Sequence, residues 1–250
     1  MRILKTLKLI VTKDPLIRFG MLRRIGKILV PNYRFKWPQI GWWSDPVFNE
    51  YLVRFGEIDG MNTDRRWMLY QLMRLVRNVP GDTAECGVYE GAGSYIICKV
   101  NQENKLFQRT HYIFDSFEGL SKPLECDGGH WIEGDMSSPL ETVSKNLSEF
   151  NNISIHKGWI PQSFSDIEDC NFCFVHIDVD LYQPTLDSFE FFYPRTNEGG
   201  LIVCDDYGFT TCPGATKAID QFLQNKKEKM ISLSGGGGFL IKGTETSELL

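Results

Sequence analysis

Histidine is scarce in this chain: four in 250 residues, at positions 111, 130, 156 and 176, with no two at a spacing that suits a metal site. Paired cysteines are missing as well. The seven are scattered and odd in number, and Cys170-x-x-Cys173 has no second pair to complete a zinc site. Reduced thiols packed as small hydrophobes are expected. No run reaches the ~18 consecutive apolar residues of a membrane span. The opening MRILKTLKLIVTKDP is broken by Lys5 and Lys8 and lacks a small-residue cleavage site, so it does not read as a signal peptide. A cytoplasmic protein with no transmembrane segment is therefore expected.

Acidic residues are nearly absent from the first 36 positions, where ten Lys and Arg face only Asp14. That segment carries about +9 and the rest about −14. The acidic remainder argues against a nucleic-acid partner. The basic N-terminus could make weak contact with an anionic membrane surface, or pack on the body or on another subunit. A homo-oligomer is expected. A G-x-G-x-x-G dinucleotide fingerprint is also lacking, and the run Gly235–Gly238 has no strand-to-helix context, so it reads as a hairpin turn.

What is present is an alternation of strand and helix patterns. Residues 1–57 are basic and aromatic, broken by Pro31, Pro38 and Pro46, and read as a helical extension. Residues 62–79 form an amphipathic helix that Asn62 or Thr63 can cap, ended by Pro80-Gly81. Strands are expected over Thr83–Tyr89, His111–Asp115, Ile153–His156, Phe172–Asp178 and Leu201–Asp205, with helices between them. Residues 116–138 are too long for a plain connector and form a candidate functional loop. Met230–Leu233 and Phe239–Lys242 read as two strands with no room for a crossover helix. The fold class is α/β: a doubly wound, mostly parallel seven-stranded sheet with the last strand antiparallel. An arm over residues 1–60 and one domain over residues 61–250 are expected.

In such a sheet, ligands bind outside the carboxyl ends of the strands. Two apolar strands here end in acids, Asp178 and Asp180 on one, Asp205 and Asp206 on the other. Four carboxylates at neighbouring buried strand ends are costly unless a cation sits among them, and an oxygen-preferring divalent ion is the simplest candidate. Solvated strand caps are the plainer alternative. At the first strand end, Glu85 with Gly87 and Gly91 forms E-x-G-x-x-x-G; the glycines let a ligand approach the backbone, and Glu85 suits an ammonium-bearing ligand. A plain tight turn is the alternative. At the next strand end, the Asp115 carboxylate can accept both hydroxyls of a ribose. Trp159, beside Gly158, could stack on an adenine, although such a Trp is often core. His176 is an alternative base to Asp180, and a strand histidine beneath a site is commonly a satisfied buried group.

The stretches AECGVYEGAGS, YIFDSFEGL, HKGWIPQSF, HIDVDLYQPTLDSFEFFYPRTNEGGLIVCDDYG and PGATKAIDQF resemble the macrocin O-methyltransferase family, over about Met61 to Leu240. The resemblance implies a Rossmann-like class I methyltransferase that uses S-adenosylmethionine and Mg²⁺ to methylate sugar hydroxyls on natural products. It implies Asp178, Asp205 and Asp206 as magnesium ligands and Asp180 as general base. Glu85, Gly87, Tyr89, Gly91 and Ser94 would lie along the methionine part of the cofactor, Asp115 at its ribose, and Ser116, Gly158 and Trp159 near its adenine. Met61 and Asp178 would also border it. The chain departs from the family pattern at Tyr89-Glu90 and Gly93, where a bulky residue followed by Arg-Gly-Gly is commoner. A surface polysaccharide is an alternative glycan acceptor. A catechol-like phenol, or a non-enzymatic nucleotide-fold binding protein, are the rival readings.

Overall fold

The computed structural model describes residues 15–29, 45–57 and 62–246. The chain divides into two compact units, Met1–Asn49 and Glu50–Leu250. In the first, α1 spans Pro15–Leu29. Helix α2, Pro46–Arg54, runs across the boundary between the units. Met61 and most of the basic N-terminus lie outside the described residues. Among the described residues, no helix is long and apolar enough to cross a membrane.

The second unit continues with α3 Thr63–Leu72, β1 Asp82–Cys86, α4 Ala92–Glu103 and β2 His111–Asp115. Then come α5 Leu140–Asn146, β3 Ile153–Lys157, β4 Phe172–Ile177 and α6 Tyr182–Phe192. The unit closes with β5 Thr196–Cys204, α7 Pro213–Leu223, β6 Ile231–Ser232 and β7 Gly238–Ile241. The sheet order is β3-β2-β1-β4-β5-β7-β6. The first five strands pair in parallel, and β7 pairs antiparallel to both β5 and β6. Parallel neighbours need a crossover, which the intervening helical segments provide; β6 and β7 need only a turn, in which Leu233 N–H donates to Gly237 O at 2.9 Å. The expected architecture, including the antiparallel strand, is what forms.

Strand β4 is buried along its whole length, as a central parallel strand covered on both faces should be. Phe114, Phe172, Phe189 and Phe192 pack there with Ile202 and Leu240. Phe192 sets its ring edge-on to Phe114 and Phe172, at centroid distances of 5.8 and 5.0 Å.

Four local expectations shift. Strand β1 ends at Cys86 rather than Tyr89, because Gly87 turns into the left-handed region at φ +75°. The helix over 62–79 ends at Leu72 and continues as turns. There, Arg109 Nη2 draws the carbonyls of Val76 (2.8 Å), Arg77 (3.2 Å) and Val79 (2.6 Å) out of a helical ladder. Asn62 makes no side-chain cap bond; its Oδ1 accepts from Arg65 instead. Strand β5 begins at Thr196 rather than Leu201, with an irregular register against β4 between Thr196 and Leu201.

The strand order reverses between β1 and β4, since β1 leads outward to β2 and β3 while β4 leads the other way to β5. Their carboxyl ends flank the crevice where open α/β sheets bind ligands.

Candidate active site

A cleft of about 520 Å³ opens at those strand ends. Register determines what meets in it. Glu85 on β1 stands opposite His176 on β4, and Ile177 opposite Cys204, so the acids after β4 and after β5 emerge side by side. Gly87 is in the left-handed region at φ +75°, and a Cβ there would lie 1.9 Å from the Asp178 carbonyl oxygen. Glycine thus permits the close crossing of the two strand ends.

The four carboxylates sit in two small groups. Donor atoms of His176, Asp178 and Asp205 lie within 4.8 Å of one another, as do those of Asp180, Asp206 and Cys212. The expected magnesium triad is thereby divided between neighbouring groups. Asp205 is buried and accepts from Arg65. Arg66 stands 3.4 Å from Asp178 Oδ2 and 3.9 Å from Asp205 Oδ2. Burial raises the Asp205 carboxyl, but Arg66 and the other cations beside it outweigh this and hold it well below the carboxylate range. Asp178 and Asp206 are shifted upward, each by burial first and then by neighbouring carboxylates. Asp180 is pushed up to about 7 by burial and by the charge of Asp178.

Asp180 adopts φ +58°, so the extended conformation does not persist past β4. Its N–H donates to Asp206 Oδ2 at 2.8 Å, and its Oδ1 lies 3.4 Å from Cys212 Sγ. Trp131 Nε1 donates in turn to that sulfur at 3.4 Å. Left-handed backbone at a non-glycine residue is held only where its surroundings over-determine it. Here it turns Asp180 into the cleft, beside Asp178.

His176 is fully buried and does not line the cleft. Its Nδ1 bonds Glu85 Oε1 at 2.7 Å, and its Nε2 faces Asp205 Oδ1 at 3.6 Å, too long for a hydrogen bond. Burial lowers its basicity, yet Asp205 and Glu85 more than compensate and push it up to about 10. Glu85 is also buried, with Oε2 accepting from Ser94. Both of its oxygens are thus engaged, although the residue borders the cleft. Beyond Ser94 the chain continues through His111 Nε2 (2.9 Å) and Nδ1 to Thr83 Oγ1 (3.0 Å). Ser94 and Gly91 lie behind the cleft wall.

The remaining sequence-derived positions line the cleft. Asp115 accepts from Val88 N–H (2.8 Å) and Phe117 N–H (2.6 Å), which ties the β1 and β2 loops together and leaves further lone pairs for a ligand. Ser116 Oγ donates to Gly119 O at 2.9 Å. Gly158 and Trp159 form the wall beside them. Trp159 is 42% exposed, so it is no core residue, and Tyr89 is 46% exposed.

A divalent cation fits this site. Oxygen donors dominate, which suits a hard ion, and Asp178, Asp180 and Asp206 are shifted upward by burial first and then by one another's charge, both of which a bound cation would relieve.

Several residues were not read from the sequence. Arg65 and Arg66 resemble the polar face of a helix, and only the fold brings them to carboxylates more than 100 positions away. Trp131 and Met136 reach the cleft from the long loop. Buried Asp127 anchors that loop by accepting from Leu124 N–H (2.7 Å) and Tyr182 N–H (2.6 Å). The length of the loop was the available signal.

The macrocin-O-methyltransferase (TylF) family model matches residues 64–234. Among curated proteins, the 8-demethyl-8-(2,3-dimethoxy-alpha-L-rhamnosyl)-tetracenomycin-C 4'-O-methyltransferase of Streptomyces olivaceus is 28% identical over 56% of this chain and 58% of its own length. The demethyldecarbamoylnovobiocin O-methyltransferase of Streptomyces niveus is 27% identical over 58% of this chain and 59% of its own. The chain thus spans under three fifths of these relatives. Among solved structures, a calicheamicin methyltransferase superposes with TM-score 0.66 at 20% identity, covering 94% of this chain and 95% of that one. The O-methyltransferase NovP superposes with TM-score 0.59 at 22% identity, covering 72% and 80%.

Proposed function

Because the chain belongs to the macrocin-O-methyltransferase family, we propose that it transfers the methyl group of S-adenosylmethionine to a sugar hydroxyl of a glycosylated natural product or surface polysaccharide. The observation that carries this reading is the convergence of Asp178, Asp180 and Asp206 on one cleft with Glu85, Asp115 and Trp159.

A sugar hydroxyl is a weak nucleophile, whereas a sulfonium is already a strong methyl donor. The protein must therefore place the oxygen in line with the methyl and take its proton. Asp115 receives the ribose of the cofactor, and Ser116, Gly158 and Trp159 border its adenine. Gly87 lets the methionine portion approach the backbone, alongside Tyr89. Asp178, Asp205 and Asp206 hold Mg²⁺, with Arg65 and Arg66 balancing the charge that remains. When bound, such an ion supplies Lewis-acid chemistry that acidifies a hydroxyl.

Asp180 is the base in this reading. It faces the cleft, and its upward shift to about 7 suits a group that must take a proton near neutral pH. As the oxygen–carbon bond forms, the carbon–sulfur bond breaks, the hydroxyl proton passes to the Asp180 carboxylate, and a neutral thioether leaves. His176 acts beneath the site, holding Asp205 through charge while Glu85 holds its other face.

The test is a methyl-transfer screen with labelled S-adenosylmethionine against deoxysugar glycosides, polysaccharide fragments and catechols, with and without Mg²⁺. Labelling of a sugar hydroxyl supports the proposal. Exclusive labelling of catechols would replace the acceptor class.

A further inference from the structure

Asp180 enters the cleft from a left-handed turn, and its carboxylate is steadied from one side. Cys212 Sγ donates to Asp180 Oδ1 at 3.4 Å, and Trp131 Nε1 donates to the same sulfur at 3.4 Å. A thiol offers one S–H and a lone pair, and both are engaged here, the hydrogen by the carboxylate and the lone pair by the indole. Thr211 Oγ1 stands 3.6 Å from the sulfur, where a bond can run in either direction. Among the described residues, no other donor reaches the Asp180 carboxylate. Oδ2 is thereby left for a ligand in the cleft.

Both ends of this relay are anchored. Cys212 is buried, stands behind the cleft wall directly before α7, and donates its N–H to Phe209 O at 3.2 Å. Trp131 belongs to the long loop over residues 116–138 and lines the cleft. That loop is docked on the start of α7 by Asp127: a Cβ at Gly214 would lie 1.8 Å from Asp127 Oδ1, so glycine there permits the contact. The same Oδ1 accepts from Tyr182 N–H, two residues after Asp180. Loop, helix and Asp180 are thus tied together at one corner of the cleft.

We propose that Cys212 is a positioning residue for methyl transfer. It holds the Asp180 carboxylate in the orientation that receives the acceptor's proton, and Trp131 aims the thiol. This rests on the reading of Asp180 as the base. The thiol forms no covalent bond; it fixes which carboxylate oxygen faces the cleft. A thiol hydrogen bond is weak, but displacing a catalytic group by about 1 Å can cost on the order of a hundredfold in rate. Because Trp131 both borders the cleft and orients the thiol, the relay also links the base to the long loop.

Steady-state kcat and acceptor KM test this, measured with S-adenosylmethionine, Mg²⁺ and the acceptor labelled in the screen described above. Cys212→Ala is expected to lower kcat at least about tenfold with KM within about twofold of the wild type. Cys212→Ser restores a donor and an acceptor and should bring kcat back to within about threefold. Trp131→Phe keeps an aromatic ring but removes the N–H, and should lower kcat by about threefold. Added to Asp180→Asn, Cys212→Ala should cost nothing further, since it acts through that carboxylate. Should the alanine variant fail to fold, Cys212→Val, which fills the space without a donor, takes its place. Wild-type kcat in Cys212→Ala or in Trp131→Phe would overturn the relay. So would a serine variant as slow as the alanine one, or a further loss of about tenfold on the Asp180→Asn background. Wild-type kcat in Asp180→Asn, or no labelled acceptor, would instead bring down the base or the function it rests on, and this role with them.

Discussion

Glu85 Oε1 and His176 Nδ1 lie 2.7 Å apart in the fully buried seam between β1 and β4, directly beneath the strand-end carboxylates. The contact follows from parallel register, which sets the two residues opposite each other. It joins the first strand end to the acids of the fourth and fifth.

Glu85→Gln keeps the shape and removes the charge, leaving a buried imidazolium facing Asp205 alone. Breaking a buried pair from one side costs on the order of 3–5 kcal/mol. Urea denaturation should register a loss of that order, and a midpoint equal to the wild type would count against an ionised pair.

The two histidines of this network push stability in opposite directions with pH. His176 rises from 6.5 to about 10, so its contribution is complete below 6.5 and is lost as pH climbs toward 10. His111 is depressed to about 4, by burial first, so its contribution is complete above 6.5 and is lost as pH falls toward 4. The raised carboxyls of Asp178, Asp180 and Asp206 act against the His111 effect over the same range, so the His111 effect is read as the difference in melting temperature between wild type and His111→Gln from pH 6.5 to 4. The wild type should lose ground to the variant as pH falls, and a constant difference would contradict the assignment.

Gly93 stands against the buried Glu85 carboxylate, with no room for a side chain between them. A Cβ there would lie 2.0 Å from Glu85 Oε1, an oxygen held in place by His176. Gly93→Ala should cost about 1–3 kcal/mol in denaturant titrations, as overpacking does. A neutral result would mean that Glu85 is free to move.

The donor atoms divide between two groups, and hardness should decide which matter to Mg²⁺. Asp206→Asn should weaken Mg²⁺ binding at least tenfold by calorimetry while the fold persists. Cys212→Ser should leave it unchanged. A large loss in the serine variant would point to a softer ion.

Much of this was legible before the fold was seen, for a physical reason. Buried parallel strands read as apolar runs, and an acid that closes such a run must sit at a strand end, so Asp115, Asp178, Asp205 and Asp206 could be placed from local pattern alone. What register and long-range packing decide could not. Arg66 reached Asp178 across 112 positions, and the turns that follow α3 are held by Arg109, more than 30 residues downstream. Asp180 was readable as an acid, but its left-handed turn into the cleft was not. His176, a rival base by sequence, is enclosed by its pairing with a residue on another strand.

The central claim is methyl transfer in this cleft with Asp180 taking the proton. Its most direct measurement is the single-turnover rate of labelled methyl transfer by the wild type and Asp180→Asn, with cofactor and Mg²⁺ affinities measured alongside. The account predicts a rate reduced at least a hundredfold, affinities within about threefold of the wild type, and loss of wild-type activity in EDTA that Mg²⁺ restores. An Asp180→Asn enzyme that transfers methyl at the wild-type rate would contradict it.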